Sequence, residues 1–123
     1  MATAGETVTA LIKANEARDI DAIVALMTED AIYENVPMSP LKGHDEIRAM
    51  LAPFLEGAKK VAWEVLHQVE QGNEVMNERV DRFTMADGKD ISIRVAGVFE
   101  VRDGKVAVWR DYFDLAEFTN QMS

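Results

Sequence analysis

Arg79 and Asp81 stand two residues apart in a stretch, 75–83, whose apolar and polar residues alternate as in a β-strand. Successive strand side chains point to opposite faces, so Val75, Asn77, Arg79, Asp81 and Phe83 share one face and Met76, Glu78, Val80 and Arg82 the other. A face bracketed by Val75 and Phe83 is at least partly buried, and a buried charge is normally paired because desolvating one alone is expensive. The pair is therefore either a structural ion pair or a prepared active site. The run Val108-Trp109-Arg110-Asp111-Tyr112-Phe113-Asp114 repeats the arrangement. Trp109, Asp111 and Phe113 share a face, so a carboxylate again sits between aromatic rings, with Arg110, Tyr112 and Asp114 on the opposite parity.

If both faces line one cavity, that cavity holds two aspartates, an arginine and apolar walls. Two aspartates in different environments split into a proton donor and a proton acceptor, the less solvated one keeping its proton near neutral pH. An arginine between them holds both in register and tunes which is protonated. Tyr33 and Asn35 share a face of a short strand; a phenol and a neutral amide orient a water without competing for its proton. Acid, base and positioned water are what direct hydrolytic opening of a strained apolar ether needs, with neither metal nor covalent intermediate. The expected walls are Trp109, Phe113, Phe83, Ile93 and Val95, with Met27 and Met50 as core filling or lining.

These residues need elements to carry them. Apolar residues Val8, Leu11, Ile12, Ile20, Ile23, Val24 and Met27 recur at helical spacing, and Asp19 is a candidate N-cap, so two consecutive helices are expected with a break near Arg18-Asp19. Thr28-Glu29-Asp30 reads as an interruption before a short strand over 31–36, then a Pro-rich loop over 37–43. Asp45, Ile47, Met50, Leu51, Phe54 and Leu55 outline a helix in which Pro53 predicts a kink or late break. Alternation takes over after Gly57. Val61, Trp63, Val65, His67 and Val69 are placed on one strand face, which makes His67 a hydrogen-bonded sheet residue.

Turn signals at Gln71-Gly72-Asn73, Ala86-Asp87-Gly88 and Asp103-Gly104 cut this region into strands over 60–70, 74–85, 89–102 and 105–113. A short helix follows over 115–120, for which Asp114 is the expected cap. Helices followed by a hairpin-connected meander imply one α+β domain, residues 1–123, in which a curved mixed or antiparallel sheet wraps around the N-terminal helices.

Composition narrows the function class. The 123 residues suit one compact domain, and 48% hydrophobic content suffices for a core. A formal charge of −9 with scattered Lys and Arg argues against nucleic acid as a partner. Without cysteine there is no disulfide framework or thiol chemistry, and His44 and His67 alone do not suggest a metal site. No long apolar run and no secretory leader pattern are visible, so a cytoplasmic protein without a membrane partner is expected.

Tyr33-Glu34-Asn35-Val36-Pro37, Glu78-Arg79-Val80-Asp81, Gly97-Val98-Phe99 and Trp109-Arg110-Asp111-Tyr112-Phe113-Asp114-Leu115 occur in this order. Together they closely resemble the limonene-1,2-epoxide hydrolase family, over about residues 32–118. The resemblance implies the nuclear-transport-factor-2-like cone, a cystatin-like roll around a deep pocket. It also implies a homodimer, and a small hydrophobic epoxide and water as reactants with no cofactor. Carried onto this chain, it makes Asp81 the acid that protonates the epoxide oxygen and Asp111 the base that deprotonates water. Arg79 bridges the two, and Tyr33 and Asn35 hold the water. Two other readings stay open: a ketosteroid-isomerase-like or polyketide-cyclase-like enzyme on the same scaffold, and a non-catalytic hydrophobic-ligand-binding dimer.

Overall fold

A computed structural model describes residues 2–123. Helix α1 (Ala4–Glu16) starts at a capping box, in which Thr3 accepts from the Glu6 amide and the Glu6 carboxylate accepts from the Thr3 amide. Helix α2 (Ile20–Ala25) starts at Asp19, whose side chain accepts from the Ala22 amide. Between them Arg18 takes a positive φ of 56° and its guanidinium donates to the Ala58 carbonyl at 2.7 Å, so the break itself is tied to the sheet.

Six strands form one sheet in the order β2-β1-β6-β5-β4-β3. They are β1 (Met27–Asn35), β2 (Leu41–Lys42), β3 (Ala58–Gln71), β4 (Glu74–Met85), β5 (Asp90–Arg102) and β6 (Lys105–Tyr112). β1 runs parallel to β6, and every other pairing is antiparallel, so the sheet is mixed. The turns follow their residues: Asp103 and Gly104 both have positive φ, 53° and 78°, as the two-residue turn with the strands' twist demands. Helix α3 (Gly43–Gly57) lies between β2 and β3, and α4 (Leu115–Met122), capped by Asp114, closes the chain. One face of β4, β5 and β6 packs on Val8, Leu11, Ile23, Ile47 and Leu51 from the helices, which makes a single core.

Two expectations are corrected. The strand expected over 31–36 begins at Met27, which pairs with Val106 of β6 ahead of a register shift; Thr28-Glu29-Asp30 lies within the strand. Pro53 lies inside α3, which ends four residues later at Gly57 and buries Leu55 in the core. Along β3 a register shift between Val65 and His67 breaks the alternation, and from Glu64 to Gln71 every residue is exposed. Val61, Trp63 and Val65 share the inward face, with Val65 exposed, whereas His67 and Val69 lie on the other face. His67 is a solvated residue 3.5 Å from Glu78. No helix among the described residues is long and apolar enough to cross a membrane.

Candidate active site

Burial alternates along β4 and β5, and in β6 from Trp109 onward. Val75, Asn77, Arg79, Asp81 and Phe83 of β4 are buried, as are Ile91, Ile93, Val95, Gly97 and Phe99 of β5 and Val106, Trp109 and Asp111 of β6. The pairing register supplies the cross-strand geometry. Gly97 lies opposite Asn77 on one side and Asp111 on the other, so the two charged strands are separated by a strand carrying no side chain at that level. A Cβ at Gly97 would overlap the Arg79 guanidinium and approach Asn77 Oδ1 to 2.8 Å. The gap left by this glycine is the channel through which Arg79 reaches Asp111.

Arg79 has no solvent exposure, and each of its nitrogens donates. Nε and Nη2 form a two-pronged fork on the two oxygens of Asp81, both at 3.0 Å. Nη2 also donates to Asp111 Oδ2 at 3.0 Å, and Nη1 donates to Asn77 Oδ1 at 2.9 Å. The guanidinium lies 4.8 Å over the Trp63 ring, an apolar cover that keeps water from the fork. Asp111 Oδ2 receives a further hydrogen bond from Trp109 Nε1 at 3.0 Å, while Asp111 Oδ1 is buried with no protein partner. One carboxylate oxygen is thus held by two N–H groups and the other is left as a ready acceptor.

The charge balance follows. Burial raises the Asp81 pKa to about 6, against the pull of Arg79, and the negative charge of Asp111 adds to the rise. Burial likewise raises Asp111, opposed by Arg79 and by the Trp109 hydrogen bond. Burial alone lowers the pKa of Arg79, but the two aspartates more than reverse this. A single permanent cation neutralises one of two dry carboxylates, so the cluster favours holding one extra proton. That proton belongs to the coupled pair, since the fork on Asp81 favours its ionised form while the greater enclosure of Asp111 opposes its ionisation.

Tyr33 and Asn35 stand beside Asp111 because β1 lies parallel to β6 with Asn35 opposite Asp111 and Tyr33 opposite Trp109. The Tyr33 hydroxyl donates to Asn35 Oδ1 at 3.3 Å, and the ring stacks on Trp109 with centroids 4.0 Å apart. Burial and the nearby Asp111 charge hold the phenol's pKa well above its usual value, so it stays neutral.

Asp81, Asp111, Tyr33 and Asn35 all line one cavity of about 160 Å³, together with Met50, Phe83, Ile93, Val95 and Phe113. Two expected wall residues do not. Met27 is wholly enclosed in the core at the start of β1, and Trp109 lies behind the wall between Tyr33 and Phe99, where it acts through its N–H on Asp111. The sequence reading missed Leu51, Leu55 and Phe54 of α3 and Phe118 of α4, which close the apolar side of the cavity. It also missed the role of Asn77, although strand parity had placed it on the Arg79 face. No cluster of His, Cys, Asp and Glu able to hold a metal is found among the described residues.

Comparison with known proteins adds to this geometry. Residues 2–123 match the model of the limonene-1,2-epoxide hydrolase catalytic domain. The chain is 34% identical over 110 residues to the epoxide hydrolase EphG of Mycobacterium tuberculosis, covering 88% of this chain and 71% of EphG. Among solved structures it is similar to an M. tuberculosis limonene-epoxide-hydrolase-like epoxide hydrolase. The TM-score is 0.83 at 30% identity, over 96% of this chain and 87% of the other. An NTF2-like protein from Burkholderia pseudomallei superposes with a TM-score of 0.86 at 20% identity, over 100% of this chain and 99% of its own, a likeness of fold.

Proposed function

This chain belongs to the limonene-1,2-epoxide hydrolase family and is an epoxide hydrolase, and from that premise we propose that it adds water in one step to a small hydrophobic epoxide, giving a vicinal diol. The observation that carries the one-step reading is Arg79, forked on Asp81 and bonded to Asp111 behind the wall of an apolar cavity that both aspartates line, with one oxygen of Asp111 left unpartnered.

Water held by Tyr33 and Asn35 gives a proton to Asp111 Oδ1 as its oxygen bonds to one epoxide carbon. The carbon–oxygen bond breaks, and the departing oxygen takes the proton of Asp81. The trio begins as one cation, one carboxylate and one carboxylic acid and ends with the same charges, the proton having changed aspartate. No net charge is created in a dry site, which is where its cost would be greatest. Return of a proton from Asp111 to Asp81 resets the enzyme. Asn77 and Trp109 are positioning residues: Asn77 fixes Arg79, and Trp109 leaves only one oxygen of Asp111 free.

The volume sets the substrate scale. A cavity of about 150 Å³ accepts a benzene-sized molecule, so about 160 Å³ suits a single carbocycle bearing an epoxide. The reading is tested with a panel of monocyclic, terpene, aromatic and fused-ring epoxides under chiral product analysis. Diol from the monocyclic members supports it, and no diol from any member contradicts it.

A homodimer is part of the same proposal. Val69, Met76 and Val98 are cross-strand neighbours on the outer face of the sheet, with Ala96 and Tyr112 paired in the next register, and Val69, Met76 and Tyr112 are exposed. A contiguous apolar strip on a sheet face suits a second copy. Light scattering of the chain and of Met76→Glu tests this: a dimer that the substitution dissociates supports it, and a wild-type monomer contradicts it.

A further inference from the structure

Among the described residues, three buried side-chain atoms have no hydrogen-bond partner in the protein: Asp111 Oδ1, Asn15 Oδ1 and Trp63 Nε1. All three residues line the same cavity. The reaction accounts for the first. The other two lie outside the acid–base machinery, and an unpaired buried polar atom costs the protein free energy unless something in the cavity pairs with it.

Their chemistry is complementary. Asn15 sits near the end of α1 with no solvent exposure, and its Nδ2 donates to the Leu11 carbonyl at 2.9 Å. That bond fixes the amide's orientation, so the unpaired atom is the carbonyl oxygen, an acceptor. Trp63 Nε1 is a donor and nothing else. The two residues come from elements that are tied together, for Glu16, next to Asn15, accepts from the Trp63 backbone amide at 3.0 Å. The Trp63 ring also covers Arg79 and meets Phe83 and Trp109 edge-on, so its rotation is locked. A hydroxyl is the small group that donates to one partner and accepts from the other; a hydrocarbon satisfies neither.

We propose that Asn15 and Trp63 form a second, polar recognition point in this otherwise apolar cavity. The preferred substrate is then a monocyclic epoxide carrying a hydroxyl group away from the epoxide ring. This rests on the epoxide-hydrolase reading and narrows its substrate class. Asn15 and Trp63 determine specificity and move no proton.

The test compares the epoxide of hydroxymethylcyclohexene with that of ethylcyclohexene, two substrates of nearly equal shape that differ by a hydroxyl in place of a methyl. Wild-type kcat/KM should favour the alcohol by about tenfold or more, since the hydrocarbon leaves both atoms unpaired. In Asn15→Leu, a change of similar volume, that preference should collapse to about onefold or reverse. Trp63→Phe, which keeps a ring over Arg79, should lose a smaller part of it.

Calorimetric binding of the unreactive cyclohexylmethanol to wild type and to Asn15→Leu gives a readout independent of turnover. An affinity about tenfold weaker in the variant supports the polar point even if no epoxide is opened. Equal binding to both proteins, or a kcat/KM ratio near one in the wild type, overturns it, and the two atoms are then served by bound water. Circular dichroism melting of each variant separates loss of fold from loss of recognition.

Discussion

Two ion pairs start from adjacent residues of β6, one reaching Glu34 on β1 and the other Arg79 on β4. At one rung Glu34 faces Arg110 across the β1–β6 ladder, and at the next Asn35 faces Asp111. Arg110 Nε donates to Glu34 at 3.0 Å on the outer face of the sheet, where both side chains keep more than a quarter of their exposure. Asp111 accepts from Arg79 at the same 3.0 Å on the inner face, where the exposures are 5% and 0%. Each joins an arginine to a carboxylate at the same distance, but the inner pair is shut off from water and shares its arginine with Asp81. The outer pair is screened and worth about 1 kcal/mol or less. In the inner cluster burial raises both aspartates, so the same contact becomes a store for a proton. Strand parity, advanced by one residue, separates a surface contact from the candidate site.

The sharpest way to break this contrast is to neutralise one carboxylate of each pair. Asp111→Asn should lower diol formation by about a thousandfold, within the range general base catalysis supplies, while Glu34→Gln stays within about twofold. Chromatography of the diol reads both, and equal losses would erase the distinction.

Stability should divide the same way. Arg79→Met leaves two buried carboxylates without their cation and should cost about 3–5 kcal/mol in urea melts. Arg110→Met should cost about 1 kcal/mol or less.

The pH dependence sharpens the comparison further. Asp81 is raised from 3.8 to about 6, so between these values the folded state binds more protons than the unfolded state. Stability from this group is therefore present at low pH and lost as pH rises through about 6. Relative to wild type, Asp81→Asn should gain roughly 2–3 kcal/mol between pH 4 and pH 7, measured by paired urea melts. A difference that stays flat across that interval would place no shared proton at Asp81.

The smallest effect concerns the gap beneath the guanidinium. Gly97→Ala pushes on Arg79 and Asn77 and should cost about tenfold in kcat through misplacement of the bridge. The same change at Gly72, whose Cβ position is open, should leave kcat unaltered.

The sheet was legible in the sequence because its information is local. Alternation in β4 and β5, and in β6 from Trp109 onward, places every second residue correctly, and Asp19 and Asp114 cap the helices expected of them. The outer end of β3 was not legible. A single register shift at Leu66 moves His67 and Val69 off the face shared by Val61, Trp63 and Val65, and valine fits exposed strand as well as buried strand. The parallel pairing of β1 with β6 is a contact between distant segments that no periodicity encodes. It is this pairing that brings Tyr33 and Asn35 to Asp111.

For the candidate site, parity put Arg79 with Asp81, and the recurrence of the aromatic-flanked aspartate put Asp111 with them. What parity cannot give is depth. Trp109 shares a face with Asp111 yet lies behind the cavity, and Met27 lies in the core, because packing against Tyr33, Phe99 and the helices decides which inward side chain reaches open space.

The claim on which the account turns is that Asp111 activates water and does not itself attack the epoxide. A single turnover in oxygen-18 water, with enzyme in excess over a monocyclic epoxide, decides it by mass spectrometry of both diol and protein. One solvent-derived oxygen-18 is expected in the first diol formed and none in the protein. An unlabelled first diol, with the label on the peptide containing Asp111, would contradict it.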